Sequence, residues 1–527
     1  MADVLQSITK GLAASSGLKS FDHVVVLMLE NRSFDNLLGY LYDASNLPPG
    51  AWFEGVIGKD LSNPIPQEYD PQGRKTVPVS IGQDYNNPNP DPGEEYPHIN
   101  TQMYNYVDPP ANAGLPAKSM HSPYNRPAVL PFQAPMDGFV RDYINNFIVT
   151  QKRTPTYQEF SVIMQSFAPD TIPVLSTLAR EFAVFDHWFC SVPSQTYCNR
   201  SFFNAATSAG LVLNDPVDNW IEDNRAPTIF NALEAKGYDW AIYYDAENFI
   251  PLTVLISSYQ LLDHLLTRTH HMDRFYDDVQ QGRLPPYSFV EPRFLFQHND
   301  QHPPSKFPYG PTDPGTVLLG DRLIGDVYNA IRTSNSPTGS SWKNTLLLIT
   351  HDEHGGCYDH VSPQPSVSPG GGGQNQMDFP FNQSGVRVSM VAVSAYINRN
   401  SIIHTPHEHT AVLKTIETRW KLDPLTRRDA AASDISEVFN LGTPRDPNQN
   451  WPDGTPQWPV IQPRELPPNW QAAFGLDDPL NPLQRSMVQS AAALAQAKSL
   501  AAAAPPLPIE TIGQAREYMR SVAQQLR

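Results

Sequence analysis

The sequence predicts an α/β protein, an α/β/α sandwich around a mainly parallel sheet with a Pro-rich and helical C-terminal extension. Three observations predict it. Short apolar runs recur along the chain without the alternation of a half-exposed strand, helix-like stretches separate them, and polar residues cluster where several runs end. Continuous apolar strands spaced by helices belong to a parallel sheet covered on both faces. In such sheets ligands bind at the carboxyl ends of the strands.

HVVVLMLE (23–30) is the first expected strand, and a helix starts near Ser33, a residue suited to cap it. Residues 44–137, rich in Pro, Asn, Asp and Gly, are expected to form a loop-rich insertion. A helix-like stretch at 173–181 precedes FAVFDHWF (182–189), and SVPSQTYCNR then leads to a helix beginning about Asn199. WAIYY (240–244), YSFVEP (287–292) and TLLLIT (345–350) are further parallel strands, with a helix at 321–333 before the last. HDEHGGCYDH (351–360) follows TLLLIT directly. Residues 362–384, with SPGGGGQNQ, form a flexible loop beside it, and VRVSMVAVSAY (386–396) is another parallel strand. Beyond about 440 the chain becomes Pro/Trp-rich, then helical in QSAAALAQAKSLAAAA and again at 509–526. The expected division is an N-terminal segment (1–20), a catalytic domain (21–440) and a C-terminal region (441–527).

Composition excludes several function classes. With 527 residues, a net charge of −17 argues against a general polyanion-binding surface, so no nucleic-acid partner is expected. Cys190, Cys198 and Cys357 are too few for a disulfide framework. The first twenty residues lack the basic and apolar regions of a cleavable signal, and no window reaches about 18 consecutive apolar residues. The expectation is a protein that stays in the cytoplasm or is exported without a cleavable signal peptide; the oligomeric state is left open.

The polar residues at the strand ends suggest chemistry. Glu30 ends an apolar strand, where a carboxylate must be paired or bind a cation. Asp352 and Glu353, adjacent at another strand exit, repel unless a positive charge stands between them. Glu30, Asn31, Asp352 and Glu353 together make an all-oxygen set suited to Ca²⁺ first, with Mg²⁺, Mn²⁺ or Zn²⁺ as alternatives. Gly355-Gly356 allow a close backbone approach. Thr196, just ahead of a helix N-terminus, is placed to meet a phosphate, and coordination would activate its hydroxyl. His302, in a Pro-bounded loop, and His98, His121, His354 and His360 are candidates to contact phosphoryl oxygen or protonate a leaving group.

In this order, ENRSFDNLLGY, MDGFV (136–140), SVPSQTYCNR, HPP, TLLLITHDEHGGCYDHV and HTPHEHTAVLKTIETRW (404–420) resemble the bacterial and plant non-specific phospholipase C family, whose relatives include an acid phosphatase. The resemblance covers about residues 21–430 and implies an alkaline-phosphatase-like fold. It implies Glu30, Asn31, Asp352 and Glu353 as metal ligands and Thr196 as the phosphate-accepting nucleophile. His302 and His360 are expected as catalytic histidines, and His98, His121, Arg200 and His354 as substrate-binding groups. Two departures stand out. Cys198 replaces the proline of T-x-P-N-R, and Glu94 stands where D-P-x-H carries histidine, with His98 four residues on. The implied activity is hydrolysis of phospholipid at a membrane surface to diacylglycerol and a phospho-headgroup, through a phosphothreonine. The alternatives are a phosphomonoesterase using the same site and a non-catalytic lipid- or partner-binding protein.

Overall fold

The computed structural model describes residues 17–304, 315–370, 375–468, 470–501 and 508–527. Most of the expected N-terminal segment, residues 371–374 of the expected flexible loop and the end of the Ala-rich run lie outside the described residues.

Eight strands form the main sheet: β1 (His23–Leu29), β2 (Ala183–Phe185), β3 (Trp240–Tyr244), β4 (Thr269–His271), β5 (Tyr287–Glu291), β6 (Thr345–His351), β7 (Met390–Val393) and β8 (Ser401–Ile403). Their order across the sheet is β8-β2-β7-β6-β1-β5-β3-β4. All run parallel except β7, which is antiparallel to both neighbours. The central strands are buried along nearly their whole length, as their unbroken apolar runs require.

The strand expected at 386–396 is thus a correction: it is shorter and reversed. A parallel return needs a crossover, usually a helix. Between His351 and Met390 the described residues contain only a short 3₁₀ turn at Gln376–Asp378, so the chain re-enters from the end it left. The 182–189 run also divides. Trp188–Phe189 leaves β2 to pair with His407–Glu408.

The helices that matter for the site are α1 (Phe34–Leu38), α2 (Tyr96–Tyr104), α3 (Phe139–Gln151), α4 (Pro173–Glu181), α5 (Thr196–Ala205), α6 (Gly315–Thr333), α7 (Thr410–Trp420), α8 (Pro482–Ala497) and α9 (Ile512–Leu526). Ser33 caps α1 by accepting from the Asn36 N–H at 3.1 Å. Within the expected loop-rich insertion stands a fully buried α2. It packs with α3 on a second, smaller apolar cluster that includes Ile99, Met103, Phe139 and Tyr143. Leu483, Met487, Leu494, Met519 and Val522 of α8 and α9 belong to the same core as the sheet.

Candidate active site

Two parallel neighbours build the centre. In the β1–β6 register Leu29 pairs with His351. The next residues out of the sheet, Glu30 and Asp352, are therefore adjacent, since paired strands lie about 4.8 Å apart. The Asn31 N–H donates to Asp352 Oδ1 at 3.1 Å. The Arg200 guanidinium joins the two carboxylates, with Nε 2.9 Å from Glu30 Oε1 and 3.5 Å from Asp352 Oδ2. Glu30, Asn31, Asp352, Glu353 and Arg200 are all completely buried.

Thr196 joins them from the second direction. It is the first residue of α5, so that helix starts earlier than expected. The Asn199 side chain explains the start, binding the Val192 N–H and the Val192 and Ser194 carbonyls and so folding the loop back onto the helix. The Thr196 hydroxyl donates to Glu30 Oε2 at 3.0 Å. Cys198, on the same helix, donates its thiol to the Leu211 carbonyl, and burial pushes it up to about 12, so it is no competing thiolate.

His302 enters from the loop after β5. Its Nδ1 donates to the Pro303 carbonyl at 2.7 Å, which leaves Nε2 with a lone pair 3.1 Å from Asn31 Nδ2. Glu94 lies in the same place. Its carboxylate accepts from Asn31 Nδ2 and, at 3.3 Å, from Gln195 Nε2. Asp91 stands 3.8 Å from the His302 ring, and neither of its oxygens accepts a hydrogen bond. A cavity of about 430 Å³ opens beside Asp91, Glu94 and His98, with Arg485 of α8 on its wall.

The remaining expected residues lie farther out or face elsewhere. His354 follows Glu353. Its Nε2 donates to Gln102 Oε1 at 2.8 Å, burial lowers it to about 3, and its Nδ1 has no hydrogen-bond partner. His98 is bound by Asp142 at 2.8 Å. Burial opposes its charge, but Asp142 outweighs burial and raises His98 to about 9. Arg200, expected as a substrate contact, spends Nε and Nη2 on Glu30 and Met28, and Nη1 alone has no hydrogen-bond partner. His360 bonds Asp35 and Glu54, beside Arg387 and Asp359, in a separate buried charge cluster. His121 is exposed, and its recorded bonds are made by its backbone.

Some contributors escaped the sequence reading. His409 donates from Nε2 to the Asp352 carbonyl at 2.7 Å, while its Nδ1 accepts from Trp188. Gln301 fixes Arg32 and His351. Asp300 holds the His302 N–H at 2.9 Å. His409 stands in HTPHEHT, so the motif was visible although its task was not.

The donor set fits a hard divalent cation. Asn31 Oδ1, Asp352 Oδ2 and Glu353 Oε1 are buried oxygens that accept no hydrogen bond. Around them stand the buried carboxylates of Glu30, Asp352, Glu353 and Glu94 and the partly buried Asp91, with the guanidinium of Arg200 in contact with Glu30 and Asp352. Burial pushes Glu30, Glu94 and Glu353 well above the ordinary carboxylate value and Asp91 to about 6. Such a group needs protons or a cation.

A family model described as "Phosphoesterase family" matches residues 21–423. The chain belongs to that phosphoesterase family. Its members are hydrolases of phosphoester bonds. Non-specific phospholipase C1 of Arabidopsis thaliana is 33% identical over 452 residues, 82% of this chain and 73% of the relative. Non-specific phospholipase C3 of the same plant is 30% identical over 93% of this chain and 85% of its own. Phospholipase C B of Mycobacterium tuberculosis is 26% identical over 82% and 80%. Among solved structures, a protein in the alkaline phosphatase superfamily from Vibrio parahaemolyticus aligns with 51% of this chain and 65% of its own, at 12% identity and a TM-score of 0.32. Among the described residues no helix is long and apolar enough to cross a membrane.

Proposed function

We propose that this phosphoesterase cleaves phospholipids on the diacylglycerol side of phosphorus, with Thr196 as nucleophile. The observation that carries the reading is the Thr196 hydroxyl on Glu30 Oε2, inside the oxygen-rich cluster at the ends of β1 and β6. The plant and mycobacterial relatives, named as phospholipases C, supply the substrate class.

In the first half-reaction the Thr196 oxygen attacks phosphorus and its proton passes to Glu30 Oε2, to which the hydroxyl already donates. The imidazolium form of His302 donates a proton from Nε2 to the departing diacylglycerol oxygen. Water then attacks phosphorus and gives its proton to His302 Nε2 in its neutral form; the Thr196 O–P bond breaks, Glu30 returns its proton to the Thr196 oxygen, and the phospho-headgroup leaves. Glu30, Asn31, Asp352 and Glu353 would hold a divalent cation, Ca²⁺ by preference, which supplies charge neutralisation at the non-bridging phosphoryl oxygens. Arg200 keeps Glu30 and Asp352 in position, and its Nη1, which has no hydrogen-bond partner, is the nitrogen left to meet a phosphoryl oxygen. Asp300 and the Pro303 carbonyl orient His302.

The test compares wild type with Thr196→Ala and Thr196→Ser on p-nitrophenylphosphorylcholine, on dispersed phosphatidylcholine and on p-nitrophenyl phosphate. Alanine should lower turnover at least about a thousandfold, and serine should retain part of it. Equal turnover by the alanine variant would end the nucleophile assignment. Activity on the monoester alone would make the enzyme a phosphatase.

A further inference from the structure

We infer that residues 109–136 form an interfacial anchor that seats the enzyme on an anionic phospholipid bilayer, a partner that rests on the phospholipid reading above. In a chain of net charge −17 this segment contains no Asp or Glu, and it carries Lys118 and Arg126. Among the described residues neither cation forms an ion pair with a carboxylate. At its tip, VLPF presents Val129 at 84% exposure and Phe132 at 100%. An aromatic and an aliphatic side chain exposed on a segment of net positive charge, in an otherwise acidic protein, complement a headgroup layer of negative charge over an apolar interior.

The segment is rooted rather than loose. Leu130, between the two exposed side chains, packs on the apolar cluster beneath. The buried Asn112 binds the Asp108 and His121 carbonyls and the Asn125 side chain. Asn125 in turn donates to the Pro97 carbonyl and the Thr101 hydroxyl of α2. That helix also carries Gln102, the partner of His354. Lys118 lines a cavity that reaches Gln195, the residue before Thr196. The segment that exposes Val129 and Phe132 thus also contributes a wall of the cavity beside the proposed nucleophile.

The test separates anchoring from catalysis by using Thr196→Ala protein in vesicle flotation. Vesicles of phosphatidylcholine alone and of phosphatidylcholine mixed with phosphatidylglycerol are compared. Binding to both is expected, tighter to the mixture. Val129→Ser with Phe132→Ser should reduce partitioning at least about tenfold, by returning two apolar side chains to water. Lys118→Gln with Arg126→Gln should remove only the preference for the mixture. In protein with Thr196 intact, the Val129/Phe132 pair of substitutions should leave turnover of p-nitrophenylphosphorylcholine unchanged. Equal flotation of the serine double variant and its parent overturns the inference. So does a parent that floats with neither vesicle, or one that instead self-associates through these residues in sedimentation velocity. If the parent floats but the wild type hydrolyses no phospholipid, the anchor stands and the phospholipase reading falls; hydrolysis of dispersed lipid without flotation does the reverse.

Discussion

Gly355 shows how tightly the site is closed. Its φ is +60°, and a Cβ there would lie 2.3 Å from the Asn31 carbonyl oxygen and 2.6 Å from Asn31 Cβ. Neither contact can relax without displacing a residue expected to hold the cation. Gly355→Ala should therefore cost more than about 2 kcal/mol, from the left-handed backbone and the clash together. It should also lower activity in the protein that still folds. Thermal denaturation together with turnover checks this, and an alanine variant of wild-type stability would show that the loop has another way past Asn31. Gly356, at φ +65°, repeats the constraint against the Gly93 carbonyl. At this scale the sequence was informative, because paired glycines after adjacent carboxylates advertise a close approach. It did not reveal Glu94 bridging Asn31 and Gln195, a contact across segments whose spacing in the chain encodes nothing.

At the scale of elements, the sheet register is the decisive feature. β1 and β6 place Glu30 beside Asp352 because they run parallel with Leu29 opposite His351. α5 then aims Thr196 at Glu30, and α8 braces α5 through the Tyr197 hydroxyl and Ser490 Oγ at 2.9 Å. Since the apolar face of α8 lies in the sheet's own core, the C-terminal helices should melt with the catalytic unit. Leu494→Ala should cost about 2–5 kcal/mol and lower the midpoint of one cooperative transition. Calorimetry showing two transitions, only one of them shifted, would establish residues 441–527 as a separately folding region. Buried runs made β1, β3, β5 and β6 legible. The edge strands β4 and β8 were not, because each is only three residues long.

At the scale of the whole molecule, buried negative charge sets the dependence on pH. Glu30, Glu94 and Glu353 have folded-state values raised by burial, so the native chain binds protons more tightly than the unfolded one. Stability of the cation-free protein should therefore fall as pH rises above about 4.5. A divalent ion that replaces those protons relieves the loss, so the midpoint gained on adding Ca²⁺ should grow between about pH 5 and about pH 8. At a hundredfold excess over Kd the gain is about 2.7 kcal/mol. Melting in chelator and in Ca²⁺ across that range is the measurement, and a pH-independent difference would place the ion elsewhere. His98 contributes in the same direction. Its value is raised to about 9 by Asp142, so its share is complete below about pH 6.5 and lost as pH climbs through about 9.

Local pattern was enough to establish the sandwich, most of its central strands and the strand exits that carry the four oxygen-bearing residues proposed to hold a cation, because apolar periodicity and strand exits are properties of neighbouring residues. Only the folded chain decided the reversal of β7, the place of Arg200 between Glu30 and Asp352, and the separation of His360 from Thr196. Each of these depends on how intervening chain returns through space, and side-chain chemistry alone carries no record of that path.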